Sequence, residues 1–175
     1  MSEAEVAVLN RRTNEPRRPV VMWIAAACYA LAVASLGTSL ATVYWDSVIE
    51  FNWSSWLAVQ VPTGLASLER VLLTVALTLA ALLPSIACVI AGFYAWAGYR
   101  WARWAAIIAV VATGLARLLN VIALAAIPLA LAGMILIWLP ASQRFFAAWY
   151  LRRHPAPRYA PPVTEVYYGP LPRYR

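Results

Sequence analysis

The chain has 175 residues, of which 63% are hydrophobic and only 12% charged, with a formal net charge of +7. A water-exposed domain carries about a quarter of its residues as charges, so this composition excludes an ordinary soluble surface and points to lipid as the main solvent. The positive balance does not indicate nucleic acid: the basic residues are all Arg and sit in short segments beside apolar runs, where they orient a chain in a membrane instead of forming a basic face for phosphates.

Residues 1–19 mix Glu3, Glu5 and Glu15 with Arg11, Arg12, Arg17 and Arg18 and show no hydrophobic period, which reads as a polar cytoplasmic tail. The first apolar run covers about 20–45. At about 1.5 Å per residue it reaches roughly 39 Å, more than a hydrocarbon core of about 30 Å. It is longer than the apolar part of a secretory signal, and Ala25-Ala26-Ala27-Cys28 lies too near its start for a lipoprotein cleavage site, so it reads as a retained anchor. Residues 46–70 then interrupt the pattern with Asp46, Glu50, Asn52, Gln60, Glu69 and Arg70 while keeping Trp45, Phe51, Trp53 and Trp56. Aromatic rings with a polar edge settle at headgroup depth, so this stretch is expected to be an outer loop lying on the bilayer.

A second span is expected over about 71–96, with Pro84 tolerated as a kink, followed by the short cytoplasmic turn Gly98-Tyr99-Arg100-Trp101-Ala102-Arg103-Trp104. From Ala105 to Leu139 only Arg117 and Asn120 are strongly polar. One helix of that length would measure roughly 52 Å, too long for a single crossing. A hairpin between Arg117 and Asn120 instead gives spans over about 104–118 and 121–139, with Arg117 reaching outward to the interface and Pro128 bending the fourth span. Residues 141–154 set Phe145, Phe146, Trp149 and Tyr150 among Arg144, Arg152 and Arg153, the composition of a short interfacial helix drawn to anionic headgroups. Residues 155–175 are rich in Pro and Tyr and bury no core, so they read as an extended cytoplasmic tail. With four passes, twelve of the 14 Arg fall on one side and only Arg70 and Arg117 on the other, which makes the first side cytoplasmic.

At about 100° per residue, Cys28, Ala32, Ser35, Ser39 and Thr42 share one face of the first span, and Thr74, Thr78, Ala81, Ser85, Cys88 and Gly92 share one face of the second. Small and hydroxyl side chains let helices approach closely and bond to one another, so the two stripes are expected to face each other as packing surfaces. Their other reading is the wall of a polar permeation path. Cys28 and Cys88 have neither a neighbouring His nor CxxC spacing and read as small apolar residues. The single histidine, His154, lies outside the spans, so neither a cofactor nor a metal is expected. No Asp, Glu, Lys or Arg falls in mid-span, where proton relays and ion-coupled carriers place such groups. No phosphate-binding loop, nucleophile elbow or zinc-protease pattern occurs, so the chain does not read as an enzyme. Polar residues gather instead at two levels, an outer interface of Asp46, Glu50, Trp53, Trp56, Glu69, Arg70 and Arg117, and an inner one of Arg100, Arg103, Arg144, Trp149, Arg152 and Arg153.

Trp138-Leu139-Pro140-x-Ser142 closing the last span, the following Phe145, and Gly98-Tyr99-Arg100-Trp101-Ala102-Arg103 between spans two and three resemble a broad set of uncharacterised actinobacterial four-span membrane proteins, over roughly residues 20–150. Some small proteins of that kind are accessory subunits of large respiratory or cell-envelope assemblies, and the resemblance carries over no site residue. The expectation is an all-α integral protein of the cytoplasmic membrane with four transmembrane helices and both termini cytoplasmic. Its expected role is a non-catalytic accessory or assembly subunit that grips a larger complex through its outer loop and Pro/Tyr tail. The alternative is a small transporter or channel component lined by the Ser and Thr stripes. Expected partners are the lipid bilayer, other membrane-protein subunits, or a second copy in a homo-oligomer, and no nucleic acid.

Overall fold

Backbone groups in apolar surroundings must be satisfied internally, and long apolar runs do this by forming helices. The computed structural model describes residues 15–49, 54–61 and 68–155. Its elements are α1 (Val20–Ile49), α2 (Trp56–Gln60), α3 (Leu68–Trp96), α4 (Ala102–Thr113), a 3-10 helix (Gly114–Leu118), α5 (Val121–Leu124), α6 (Ala126–Trp138) and α7 (Pro140–Arg153). Three stretches are long and apolar enough to cross a membrane: Val20–Ile49, Leu68–Trp96 and Val121–Trp138. The segment expected as a third span, 104–118, falls within the 12-residue α4 and the five-residue 3-10 helix, which follow each other in series over 102–118. The first two helices are also longer than their apolar runs. α1 continues past Trp45 by another turn, in which the Ser47 hydroxyl donates to the Tyr44 carbonyl at 2.8 Å.

α1 packs against α3 and α6, and α4 packs against the same two helices, so the four form a closed ring. Neighbours in the ring run antiparallel. Arg18, just before α1, lies 4.8 Å from the Trp96 ring at the end of α3, and Trp104 at the start of α4 meets Trp138 at the end of α6 edge to face at 6.3 Å. The end that holds Val20, Trp96, Ala102 and Trp138 is termed proximal here, and the end that holds Ile49, Leu68 and the 3-10 helix distal.

Alanine dominates the interior: Ala25, Ala32, Ala80, Ala91, Ala106, Ala109, Ala126 and Ala130 are all buried. In lipid, helices gain little from hiding apolar surface and associate through close van der Waals contact, which small side chains permit. The largest interior ring, Tyr29, fits because α3 and α6 present glycines to it. A Cβ at Gly133 would lie 2.9 Å from Tyr29 Cε2, and one at Gly92 would lie 3.4 Å from Tyr29 Cβ.

The two prolines act differently. α3 runs through the buried Pro84 without a break. Pro128 cannot donate to the Leu124 carbonyl, and its ring crowds that oxygen; α5 ends at Leu124 and α6 begins at Ala126. α7 turns back at Leu139, which is extended (φ −62°, ψ 150°), with Pro140 as its first residue. The Ser142 hydroxyl secures the bend by donating to the Leu136 carbonyl at 2.7 Å. Phe145 and Phe146 are buried in the bundle core while Arg144 and Arg152 are exposed, so α7 closes the proximal end with one face and presents cations on the other.

Candidate functional site

The hydroxyl stripes are bonded largely to their own helices. Ser35 donates to the Ala32 carbonyl at 2.9 Å, Thr42 to Ser39 at 2.8 Å, Thr74 to Arg70 at 2.8 Å, Thr78 to Thr74 at 2.7 Å and Ser85 to Ala81 at 2.7 Å. With its proton engaged, Thr78 accepts from the Tyr44 hydroxyl, which ties α1 to α3. Gly92 meets Tyr29 of α1, Cys88 is buried, Cys28 is half-buried, and both cysteines are free thiols. Ser39 and Thr42 also reach Asn120. Ser39 donates to Asn120 Oδ1 at 2.6 Å, and Asn120 Nδ2 donates to Thr42 Oγ1 at 3.0 Å.

Asn120 thereby organises the distal end. Its Oδ1 also accepts from the backbone N–H groups of Ile122 (3.1 Å) and Ala123 (3.3 Å), capping α5. Ser55 caps α2 in the same way, accepting from the Ala58 N–H at 3.1 Å. The Trp56 N–H donates to the Leu119 carbonyl at 2.8 Å, which docks α2 on the hairpin. The Arg117 guanidinium lies 5.8 Å from the Trp56 ring, and both residues line a cleft of about 490 Å³. Of the other residues assigned to an outer interface, Asp46 is half-buried in the last turns of α1 and Arg70 is half-buried in the first turn of α3. Glu69 is exposed in that same turn, where a carboxylate complements the helix dipole. Glu50 and Trp53 lie outside the described residues.

At the proximal end Arg153 is clamped. It donates to the Gly98 carbonyl at 3.1 Å and to the Ala97 carbonyl, and its guanidinium stands 3.9 Å from the Tyr99 ring and 4.9 Å from the Trp149 ring. Gly98 permits this approach through a left-handed φ of 77°, and a Cβ there would fall 2.4 Å from Trp149 Cδ1. Arg103 donates to Gln143 Oε1 at 2.7 Å and lies 5.5 Å from the Trp138 ring. Arg100 lies 5.1 Å from Tyr150, and Arg152 lies 5.4 Å from Trp149. Such cation–π contacts contribute about 0.5–1 kcal/mol each where exposed. The contacts of Arg153 with Tyr99 and of Arg100 with Tyr150, with the Arg153 bonds to the Ala97 and Gly98 carbonyls, bind α7 to the turn between α3 and α4.

The exterior is uneven. Exposed positions in α3 are large, among them Leu72, Val75, Leu79, Leu83, Ile86 and Phe93, and the same holds for Trp104, Ile108 and Val111 of α4 and for Leu131, Ile135 and Trp138 of α6. Apart from Leu31, the exposed middle of α1 is small: Ala27, Ala30, Ala34, Gly37, Thr38 and Ala41. A Cβ at Gly37 would meet nothing within 4 Å.

Sequence reasoning left three of these features unassigned: Tyr29, Tyr44 and the small outward face of α1. Asn120 reads in the sequence as a polar break that bounds the hairpin, not as a link to α1. Its sequence signal was that of an N-cap, Asn directly before an apolar run. Among the described residues, no group of three His, Cys, Asp or Glu side chains is placed to hold a metal ion. Compared with known proteins, the chain matches no family, no curated protein and no solved structure.

Proposed function

We propose that the chain is a non-catalytic accessory or assembly subunit of a larger cytoplasmic-membrane complex, a four-pass bundle with both termini in the cytoplasm. The observation that carries this reading is the small-residue face of α1, which the rest of the bundle leaves uncovered. Acyl chains pack against large side chains at least as well as against small ones. A ridge of Ala and Gly is therefore of no advantage toward lipid, whereas it lets another helix approach closely.

Four passes are supported by length. The 12 residues of α4 rise about 18 Å and the five of the 3-10 helix about 10 Å. Together they reach about 28 Å, close to a hydrocarbon thickness of about 30 Å. Orientation is supported by charge: Arg18, Arg100, Arg103, Arg152 and Arg153 mark the proximal end, and Arg70 and Arg117 the distal one, so the proximal end is cytoplasmic. Against a conduit stand the hydroxyls, closed on their own carbonyls, and the interior filled by Tyr29, Leu36 and alanines.

Gly37→Leu tests the reading at an exposed position where an added Cβ meets nothing within 4 Å. Native membranes are solubilised in mild detergent and the proteins that co-purify with the chain are quantified. Wild type is expected to bring down other membrane subunits, and Gly37→Leu to reduce their recovery by about tenfold, the effect of roughly 1.4 kcal/mol of lost contact. The control Leu82→Ala on α3 is expected to leave recovery unchanged. Equal recovery with Gly37→Leu, or isolation of wild type as a homo-oligomer alone, would contradict the accessory role.

A further inference from the structure

We infer that the distal cleft seats the phosphate headgroup of a phospholipid, with Arg117 as the cation and α5 as the bed of an acyl chain. This rests on the four-pass reading, which sets the 3-10 helix at the edge of the hydrocarbon. The cleft measures about 490 Å³, and among the described residues no Asp or Glu lines it. Its walls are held in place before any ligand arrives. The Trp56 N–H bond to Leu119 fixes α2 on one side, and the Asn120 cap fixes α5 on the other. A preformed site binds without the cost of ordering its parts.

Arg117 is exposed at the mouth, and its contact with the Trp56 ring does not use its N–H donors. A guanidinium presents several donors in one plane and pairs with two oxygens of a phosphate at once. Two arginines at the proximal end are differently placed: Arg103 already donates to Gln143, and Arg153 to two backbone carbonyls. The other half of the cleft is apolar. Val121 is 79% exposed and Leu124 adjoins it. A cation beside an open aliphatic strip, at headgroup depth, is complementary to an anionic head carrying an acyl chain. Inorganic phosphate shares only the first half of that chemistry.

The test uses the full chain in mild detergent and native mass spectrometry with three probes: phosphatidylglycerol, diacylglycerol and inorganic phosphate. Phosphatidylglycerol is expected to be retained, and diacylglycerol and inorganic phosphate not. Arg117→Gln is expected to lower phosphatidylglycerol retention about tenfold, as for a lost hydrogen bond to a charged group. The control Arg17→Gln, at an exposed arginine just before α1, is expected to match wild type. Val121→Trp fills the apolar half with Arg117 intact and is expected to weaken retention as well. It decides the question if Arg117→Gln does not yield folded protein. Unchanged retention in both cleft variants, equal retention of diacylglycerol, or displacement of the lipid by equimolar inorganic phosphate would overturn the assignment. Alkaline extraction of membranes separates the two readings. Protein that stays in the membrane yet ignores phosphatidylglycerol refutes the cleft alone, whereas protein stripped from the membrane refutes the spanning reading beneath it.

Discussion

Tyr29 lies where three helices meet, with a ring only 2% exposed and glycines from α3 and α6 against it. Gly133→Ala is expected to destabilise the bundle by about 1–3 kcal/mol, as overpacking of a filled interior does, because its Cβ would come within 2.9–3.2 Å of three ring atoms. A lowered thermal transition in detergent would record it. Removing the Tyr29 hydroxyl should have the opposite sign. That oxygen is buried and has no hydrogen-bond partner among the described residues, so Tyr29→Phe relieves a desolvated polar group and is expected to leave stability unchanged or raise it by about 1 kcal/mol. A clear loss of stability would mean that the hydroxyl bonds a buried water. Gly92 was legible in the sequence as a member of a small stripe. Gly133 could be read only as another small residue of the fourth span, because its neighbour is the far edge of a ring rooted on α1, and no local pattern encodes that reach.

The hairpin from α4 to α6 depends on Asn120, which joins two residues of α1 and caps α5 with one side chain. Asn120→Leu is expected to cost about 1–2 kcal/mol, given interhelical hydrogen bonds of about 0.6–2 kcal/mol in lipid. A lower melting temperature together with faster hydrogen exchange in residues 114–124 would report it. α7 has a comparable anchor in Gly98. Gly98→Ala combines a strained φ with a clash against Trp149 and is expected to loosen α7, read as faster tryptic cleavage after Arg144 and Arg152. The position of the hairpin could be read from length and polarity, since 35 apolar residues exceed one crossing and Arg117 and Asn120 break them. Its internal form could not. Pro128 marked a bend, but its effect is felt four residues earlier, at the carbonyl where α5 stops. The burial of Phe145 and Phe146 was equally hidden, because aromatic residues beside arginines fit a membrane surface as well as a bundle floor.

On the scale of the molecule, the all-helical character and the apolarity follow from composition, whereas the order of the ring does not. Stripes of similar character on the first two spans suggested a single shared seam, yet Ser39 and Thr42 turn to Asn120 instead of to α3. Several helix faces carry small residues, and sequence periodicity names a face without naming its neighbour. For that reason the outward face of α1 became visible only once burial separated Ala34, Gly37 and Ala41 from the packed Ala32 and Leu36. Four passes with both ends in the cytoplasm underlie the role assigned to that face and the depth assigned to the Arg117 cleft. The most direct test is thiol labelling of intact cells with a membrane-impermeant reagent, after Cys28 and Cys88 are replaced by Ala and single cysteines are placed at Ser2, Ser54, Arg117 and Val163. Ser54→Cys and Arg117→Cys are predicted to label from outside, and Ser2→Cys and Val163→Cys only after lysis. External labelling of one terminus but not the other would contradict the account.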